Sequence, residues 1–215
     1  MKVATWNIRG WTNDKSLIVR SLLADHSVVG LTEIWNLPQE DPPFQVLSCR
    51  RSHVYGQKRG SGGVALAAPF DVPMRLLQSF QHKRFELLSA SVYGCIVVAV
   101  YLSPRLSEQD MSLFFTELRK MARGRAIVMG DFNARHVQWD VTTTTQGRRL
   151  HDWATRANFR TVRPPSATFF SRHRNRQGAT LTAASTVDLM FARVAALADP
   201  VVGEHDYNVS DHAPL

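Results

Sequence analysis

Short runs of β-prone, largely apolar residues recur along the whole chain: "VATWNI", "VVGLTEI", "GGVALAA", "FELLSASVY", "CIVVAVYL", "AIVMGDF" and "TVDLMFA". A strand with one wet face alternates apolar and polar side chains, whereas a strand covered on both faces reads as an almost unbroken apolar run. Several of these runs are of the second kind and require a sheet buried on both sides. Cover comes from "DKSLIVRSLLADH", "SEQDMSLFFTELRKMA" and "GRRLHDWATRANF", which carry apolar residues at helical spacing. The second of these opens with Ser107 and, three residues later, Asp110, close to a capping box. Helices interspersed among many strands, some strands following one another directly, point to mixed sheets in a two-sheet α/β sandwich. The polar stretches "TTTTQGRR" and "SRHRNRQGAT" read as loops.

At 215 residues the chain fits one domain, because two would each be close to the lower size at which a core can be buried. The balance of 26 Lys and Arg against 18 Asp and Glu, a formal charge of +8, favours a polyanionic partner. Cys49 and Cys95 lack a CxxC spacing and are too few for a disulfide framework or a zinc site, which fits buried thiols in a reducing compartment. The N-terminal "MKVATWNIRGW" has no continuous apolar segment, and no run approaches the roughly 18 apolar residues of a membrane span. Neither secretion nor a membrane partner is expected.

Polar residues gather at the ends of the apolar runs. In chain order they are Asn7, Glu33, Tyr101, Asp131 with Asn133, Asp188, and Asp211 with His212. Strand ends are where an α/β scaffold assembles a site, since loops converge there while the sheet holds them. Each residue also has an ordinary reading: Asn in a turn, Asp as a helix cap, His on the surface. Turn chemistry accounts for any one of them more easily than for all of them in this order.

The segments "TWNIRG", "LTEIW", "VYLSP", "GDFNA", "STVDLMFA" and "SDHAPL" resemble the successive motifs of the endonuclease/exonuclease/phosphatase superfamily, over essentially the whole chain. Tyr101 in "VYLSP" resembles its apurinic-endonuclease-like branch, and "GDFNARHVQWD" followed by "TTTTQGRRLHDWA" looks like the endonuclease domains of LINE-type non-LTR retrotransposons. The resemblance implies a four-layer α/β sandwich, two mixed β-sheets packed face to face and flanked by helices. It implies a single domain over residues 1–215, the N-terminal one of a longer polyprotein. The implied activity is a Mg²⁺-dependent endonuclease, with Mn²⁺ as an alternative ion. It would nick one strand of double-stranded DNA to leave a 3′-hydroxyl that primes a downstream reverse transcriptase domain in the same polypeptide. Such an enzyme acts in the nucleus.

By the same resemblance Glu33 is the main metal ligand, with Asp211 assisting. Asp131 is the general base or water-orienting carboxylate and Asn133 its amide partner. The expectation is that both lie on one strand and, being alternate residues, face the same way. His212 would donate to a phosphate oxygen with Asp188 holding its ring, and Asn7 and Tyr101 complete the donor set. Thr168 and Ser210 match positions near the phosphate. The repair enzymes carry a second acid two residues after the Asn of "WN"; here that residue is Arg9, a candidate phosphate ligand or a solvated loop residue. Arg172, Arg174 and Arg176 fall where retrotransposon endonucleases carry a hairpin that enters the minor groove. Two other functions compete: a phosphodiesterase or phosphatase acting on a small-molecule or lipid substrate, since fold does not fix substrate, and a nucleic-acid-binding module with decayed catalysis.

Overall fold

A computed structural model describes residues 1–38, 40–49, 62–174, 180–195, 201–203 and 210–215, the side chains of 172–174 and 180–182 excepted. The elements in chain order are β1 (Val3–Asn7), α1 (Asn13–Asp25), β2 (Val28–Thr32), β3 (Gln45–Cys49), β4 (Val64–Ala68), β5 (Met74–His82), β6 (Phe85–Val92) and β7 (Cys95–Leu102). They continue with α2 (Glu108–Met121), β8 (Ala126–Asp131), α3 (Thr145–Arg156), β9 (Arg160–Val162), β10 (Phe169–Arg174), β11 (Thr180–Ser185) and β12 (Asp188–Arg193). The strands form a four-stranded sheet ordered β1-β2-β4-β3, a six-stranded sheet ordered β5-β6-β7-β8-β12-β9, and the separate pair β10-β11. Both large sheets are mixed: β1 and β2 run parallel, as do β7 and β8, while the other pairings in these sheets are antiparallel.

The period-two geometry of a strand divides these apolar runs between two cores. In β7, Val97 and Ala99 point between the sheets, and Val98, Val100 and Leu102 point to the other face. There they meet Phe114 and Leu118 of α2, with Leu150 and Trp153 of α3 in the same cluster. Between the sheets, Val28, Val64 and Leu66 of the small sheet pack with Leu88, Ile127 and Met129 of the large one. The outer face of the small sheet, through Ala4, Trp6, Val29 and Leu31, packs on Val19 and Leu23 of α1. The layers are therefore α1, small sheet, large sheet, and α2 with α3. Each fully buried Leu, Val or Phe contributes roughly 1.5–3 kcal/mol, and this burial holds the strand ends in register.

The capping box on α2 is complete: Ser107 Oγ accepts from the Asp110 N–H at 3.1 Å, and Asp110 Oδ2 accepts from the Ser107 N–H at 3.3 Å. The polar stretches need correcting. "TTTTQGRR" is only partly a loop, because Thr144 caps α3 by accepting from the Gly147 N–H at 3.1 Å and the helix begins at Thr145. In "SRHRNRQGAT", residues 171–174 belong to β10 and Thr180 opens β11, in an antiparallel hairpin with register Phe169↔Ser185 to Arg174↔Thr180. Near the C-terminus, Leu215 and Thr5 exchange backbone hydrogen bonds of 2.9 and 2.7 Å, and Ala213 N–H donates to Thr168 C=O at 2.8 Å.

Candidate active site

β7 and β8 run parallel with Tyr101 opposite Asp131, and β12 runs back along β8 with Asp188 opposite Asp131. The three side-chain positions are thus fixed at one end of the large sheet by ladder register alone. Asn7 ends β1 in the small sheet, and its Nδ2 donates to Asp131 Oδ2 at 2.9 Å, a buried bond that ties the two sheets together.

Asp131 accepts two further hydrogen bonds from Asn133, from the backbone N–H to Oδ1 at 2.9 Å and from Nδ2 to Oδ2 at 3.1 Å. The expected strand alternation does not produce this. β8 ends at Asp131, and Asn133 lies in the following loop with φ +45°, a left-handed turn that folds its amide back onto the carboxylate and onto Leu102 C=O at 2.9 Å. Asn tolerates that conformation better than most residues. Arg9 and Glu33, in two other loops at this end, also have positive φ, +45° and +51°. Such backbone costs on the order of 1 kcal/mol or more per residue and persists only where packing imposes it.

His212 Nδ1 and Asp188 Oδ2 are 2.6 Å apart, and both side chains are buried. The ring packs against Phe169 at 4.8 Å between centroids. Thr168 Oγ1 accepts from the backbone N–H groups of Val187 and Asp188 at 3.3 and 3.1 Å. Ser210 Oγ donates to Asn7 C=O at 2.7 Å and accepts from the His212 N–H at 3.1 Å. Thr168 and Ser210 are therefore engaged in holding the Asp188 and His212 backbones. Arg9 Nη1 meets Asp211 Oδ2 at 2.5 Å. Glu33 is half-buried at the end of the small sheet, close enough for its charge to act on Asp131. The side chains of Arg172 and Arg174, and all of Arg176, lie outside the described residues.

Burial pushes the Asp131 carboxyl up to about 8, with the Asp188 carboxylate adding to the rise and His212 and Asn7 opposing it. For His212, burial acts downward, but the charge and hydrogen bond of Asp188 dominate and raise the imidazole to about 9. Both groups hold their proton more tightly folded than unfolded, so the stability they confer is fully present at low pH. That of Asp131 falls between pH 3.8 and about 8, and that of His212 between pH 6.5 and about 9. Metal-free protein is expected to melt at progressively lower temperature as pH rises from 6.5 towards 9, with a shallower slope for Asp131→Ala. Thermal unfolding in EDTA checks this, and stability rising across that window would contradict the assigned coupling.

The donor set fits a divalent cation. Asp131, Asp188 and His212 bring ligand atoms within 4.8 Å of one another, and among the described residues this is the group of that kind able to hold a metal ion. Asp188 Oδ1 and Asp211 Oδ1 are buried without a hydrogen-bond partner among the described residues, and carboxylate oxygens are the ligands hard cations prefer. Asp188 Oδ2 is already engaged by the His212 ring, so Asp188 Oδ1 and Asp211 Oδ1 are the oxygens left open to an ion there.

Sequence reasoning missed several supporting side chains. Lys15 Nζ donates to the carbonyls of Ile8, Arg9 at 3.3 Å and Gly10 at 2.9 Å, fixing the loop after Asn7. Burial lowers its pKa, and so does Arg9. Gln146 Nε2 donates to Phe132 C=O at 2.7 Å, bracing the Asn133 loop, and Asp140 Oδ2 accepts from the Thr186 N–H at 2.8 Å ahead of β12. Helical spacing alone carries no sign of these roles; the Thr144 cap was the available signal that Gln146 sits in a first helical turn.

The fold is shared with solved structures at low identity. The chain superposes on the endonuclease domain of TRAS1, a telomere-specific non-LTR retrotransposon, with TM-score 0.69 and 19% identity, covering 99% of this chain and 94% of that one. An AP endonuclease from Archaeoglobus fulgidus gives TM-score 0.73 at 17% identity, covering 100% and 97%. A 3′-5′ exonuclease from Neisseria meningitidis gives 0.69 at 21%, also covering 100% and 97%. No curated protein sequence gives a match. Residues 4–212 match the sequence pattern of the endonuclease/exonuclease/phosphatase family, and the chain belongs to that family.

Proposed function

We propose that the protein is a Mg²⁺-dependent endonuclease that nicks one strand of double-stranded DNA, leaving a 3′-hydroxyl. The observation that carries this is the juxtaposition of Asp131, held by Asn7 and Asn133, with the buried His212–Asp188 pair. Phosphodiester hydrolysis needs a group that takes a proton from water and a donor for the phosphate oxygens. Asp131 takes the proton once it is itself ionised, which the positive charge of a bound cation would favour against the burial that otherwise holds its proton on; three N–H donors aim its two oxygens. His212 is protonated at neutral pH and donates from Nε2 to a phosphate oxygen, while Asp188 fixes the ring through Nδ1. Tyr101, beside Asp131 in the ladder, supplies a further donor.

Glu33, assisted by Asp211, would hold Mg²⁺, for which Mn²⁺ would substitute. The bound ion supplies positive charge that offsets the clustered carboxylates and the charge building on the phosphate. Arg9 gives one N–H to Asp211, and its half-exposed guanidinium keeps donors for a phosphate. The net charge of +8 favours DNA over a small substrate. In the retrotransposon reading the domain is joined to a downstream reverse transcriptase, the 3′-hydroxyl primes it, and the work is done in the nucleus. The β10-β11 hairpin would enter the minor groove with Arg172, Arg174 and Arg176 choosing sites by groove shape.

Incubation with supercoiled plasmid tests this directly. Open-circular product should form with Mg²⁺ and not with EDTA. Nicking that survives EDTA would sink the metal-dependent mechanism, and hydrolysis confined to small phosphate esters would move the assignment to the phosphatase side of the family. Mapped at nucleotide resolution, the nicks should move when the hairpin arginines become Ala; an unchanged map removes the targeting role.

A further inference from the structure

β8 and β12 carry the catalytic carboxylates at one end and a different chemistry at the other. Asp131 pairs with Asp188, while Ala126, opposite Arg193, lies five residues away along the ladder, roughly 17 Å at strand spacing. At that far end the last turns of α2 and α3 border two adjoining clefts of about 580 and 380 Å³, both lined by Arg119 and Arg193. Arg123 and Lys120 complete the rim of the first, Arg156 that of the second, with Phe115 and Trp153 as its floor.

These cations differ in what they already do. Arg193 is spent: it donates to the carbonyls of Gly124, Ala157 and Ala122 at 2.8, 3.0 and 2.7 Å, closing the ends of both helices. Lys120 is paired with Glu117 at 2.6 Å. Arg119, Arg123 and Arg156 are exposed and form no ion pair among the described residues. Basic side chains near a helix C-terminus usually complement the terminal carbonyls. Here Arg193 already serves those carbonyls, leaving three arginines in surplus whose mutual repulsion a polyanion would relieve.

We propose that this cleft is a second DNA-binding site, which holds the phosphate backbone of a duplex segment other than the one being cut. The proposal rests on the DNA reading of the catalytic site. Duplex is favoured over single strand because the floor offers little stacking surface: Trp153 is buried, and the half-buried Phe115 has one face stacked on it at 5.9 Å. Phosphate contacts alone make the site indifferent to sequence and sensitive to salt. A stiff duplex lying across Asp131 does not turn to the opposite strand ends as well, so the two sites take separate segments and the enzyme can bridge them.

The test counts duplexes. Native mass spectrometry of the whole chain with a duplex of about 12 base pairs, roughly 40 Å long, in EDTA, should show wild type binding one duplex more than the variant Arg119→Ala/Arg123→Ala/Arg156→Ala. Two against one is expected if both sites bind DNA; one against none would retain the second site and remove the DNA reading of the catalytic one. The Lys triple variant, which keeps the charge, should retain the wild-type count and so separates loss of binding from loss of fold. Mg²⁺-dependent nicking of the short duplex should be the same in all three proteins. Equal counts for wild type and the Ala variant, or a second site filled by a single-stranded oligonucleotide and not by duplex, would overturn the proposal.

Discussion

Asp131→Ala or His212→Ala is expected to slow plasmid nicking by a factor of at least about 10². The two groups belong to one buried unit in which each sets the other's charge: the His212 cation lowers the proton affinity of Asp131, and the Asp131 carboxylate raises that of His212. Residues that act as a unit do not contribute independently, so the double variant should be scarcely slower than the worse single variant. Asp188→Ala should behave like His212→Ala, because it removes the carboxylate 2.6 Å from Nδ1 and with it both the ring's anchor and the main cause of its raised pKa. Initial rates of open-circle formation with Mg²⁺ measure all of these. A single variant within threefold of wild type would remove that residue from the proposed chemistry, and a double variant slower by the product of the single factors would show that the two work separately.

Gly130→Ala should cost at least about 3 kcal/mol of stability, more than any surface substitution. Gly130 has φ +144°, where L side chains are rarely found, and a Cβ there would stand 2.0 Å from Val100 C=O. That oxygen is backbone in the adjacent strand, so rotating a side chain cannot relieve the overlap. The ladder would have to open where β7 and β8 bring Tyr101 beside Asp131. Activity should therefore fall with stability. Gly124→Ala is the comparison: its φ is also positive, +60°, but no atom of the described residues lies within 4 Å of the added carbon, and the loss should be about 1 kcal/mol. Urea unfolding of both variants checks this. A Gly130 variant no less stable than the Gly124 variant would show that the close approach of the strands is not needed.

The strands that sequence reading located are those whose side chains are buried on both faces. β7 spans Cys95–Leu102, the whole of "CIVVAVYL". The strands it passed over are short or half-exposed. β9 has three residues, and β3 is an edge strand of five. β5 is nine residues long, but its register shifts between Leu76 and Gln78. The better-covered residues Met74, Leu77 and Phe80 then recur every third position, a spacing that hides a strand behind a helical one. Asn133 was placed near Asp131 for the wrong reason. Strand alternation presumed that β8 continued, whereas a left-handed turn after Asp131 makes the contact.

Local pattern determined the layers of this protein and the candidates for its chemistry. An unbroken apolar run demands cover on both faces, a capping box starts a helix, and polar residues at strand ends stand where a rigid sheet can present them. What needed the tertiary structure is everything that depends on distances between remote segments. Asn7 and Asp131 are joined across the sheets over 124 positions, Arg9 and Asp211 over 202, and Asp188 and His212 over 24. The proton affinities depend on the same distances. Burial and neighbouring charge pull Asp131 and His212 from ordinary values to about 8 and about 9. Desolvation and Coulomb interaction act through space, in proportion to burial and inverse distance, and a linear sequence records neither until the chain has closed on itself.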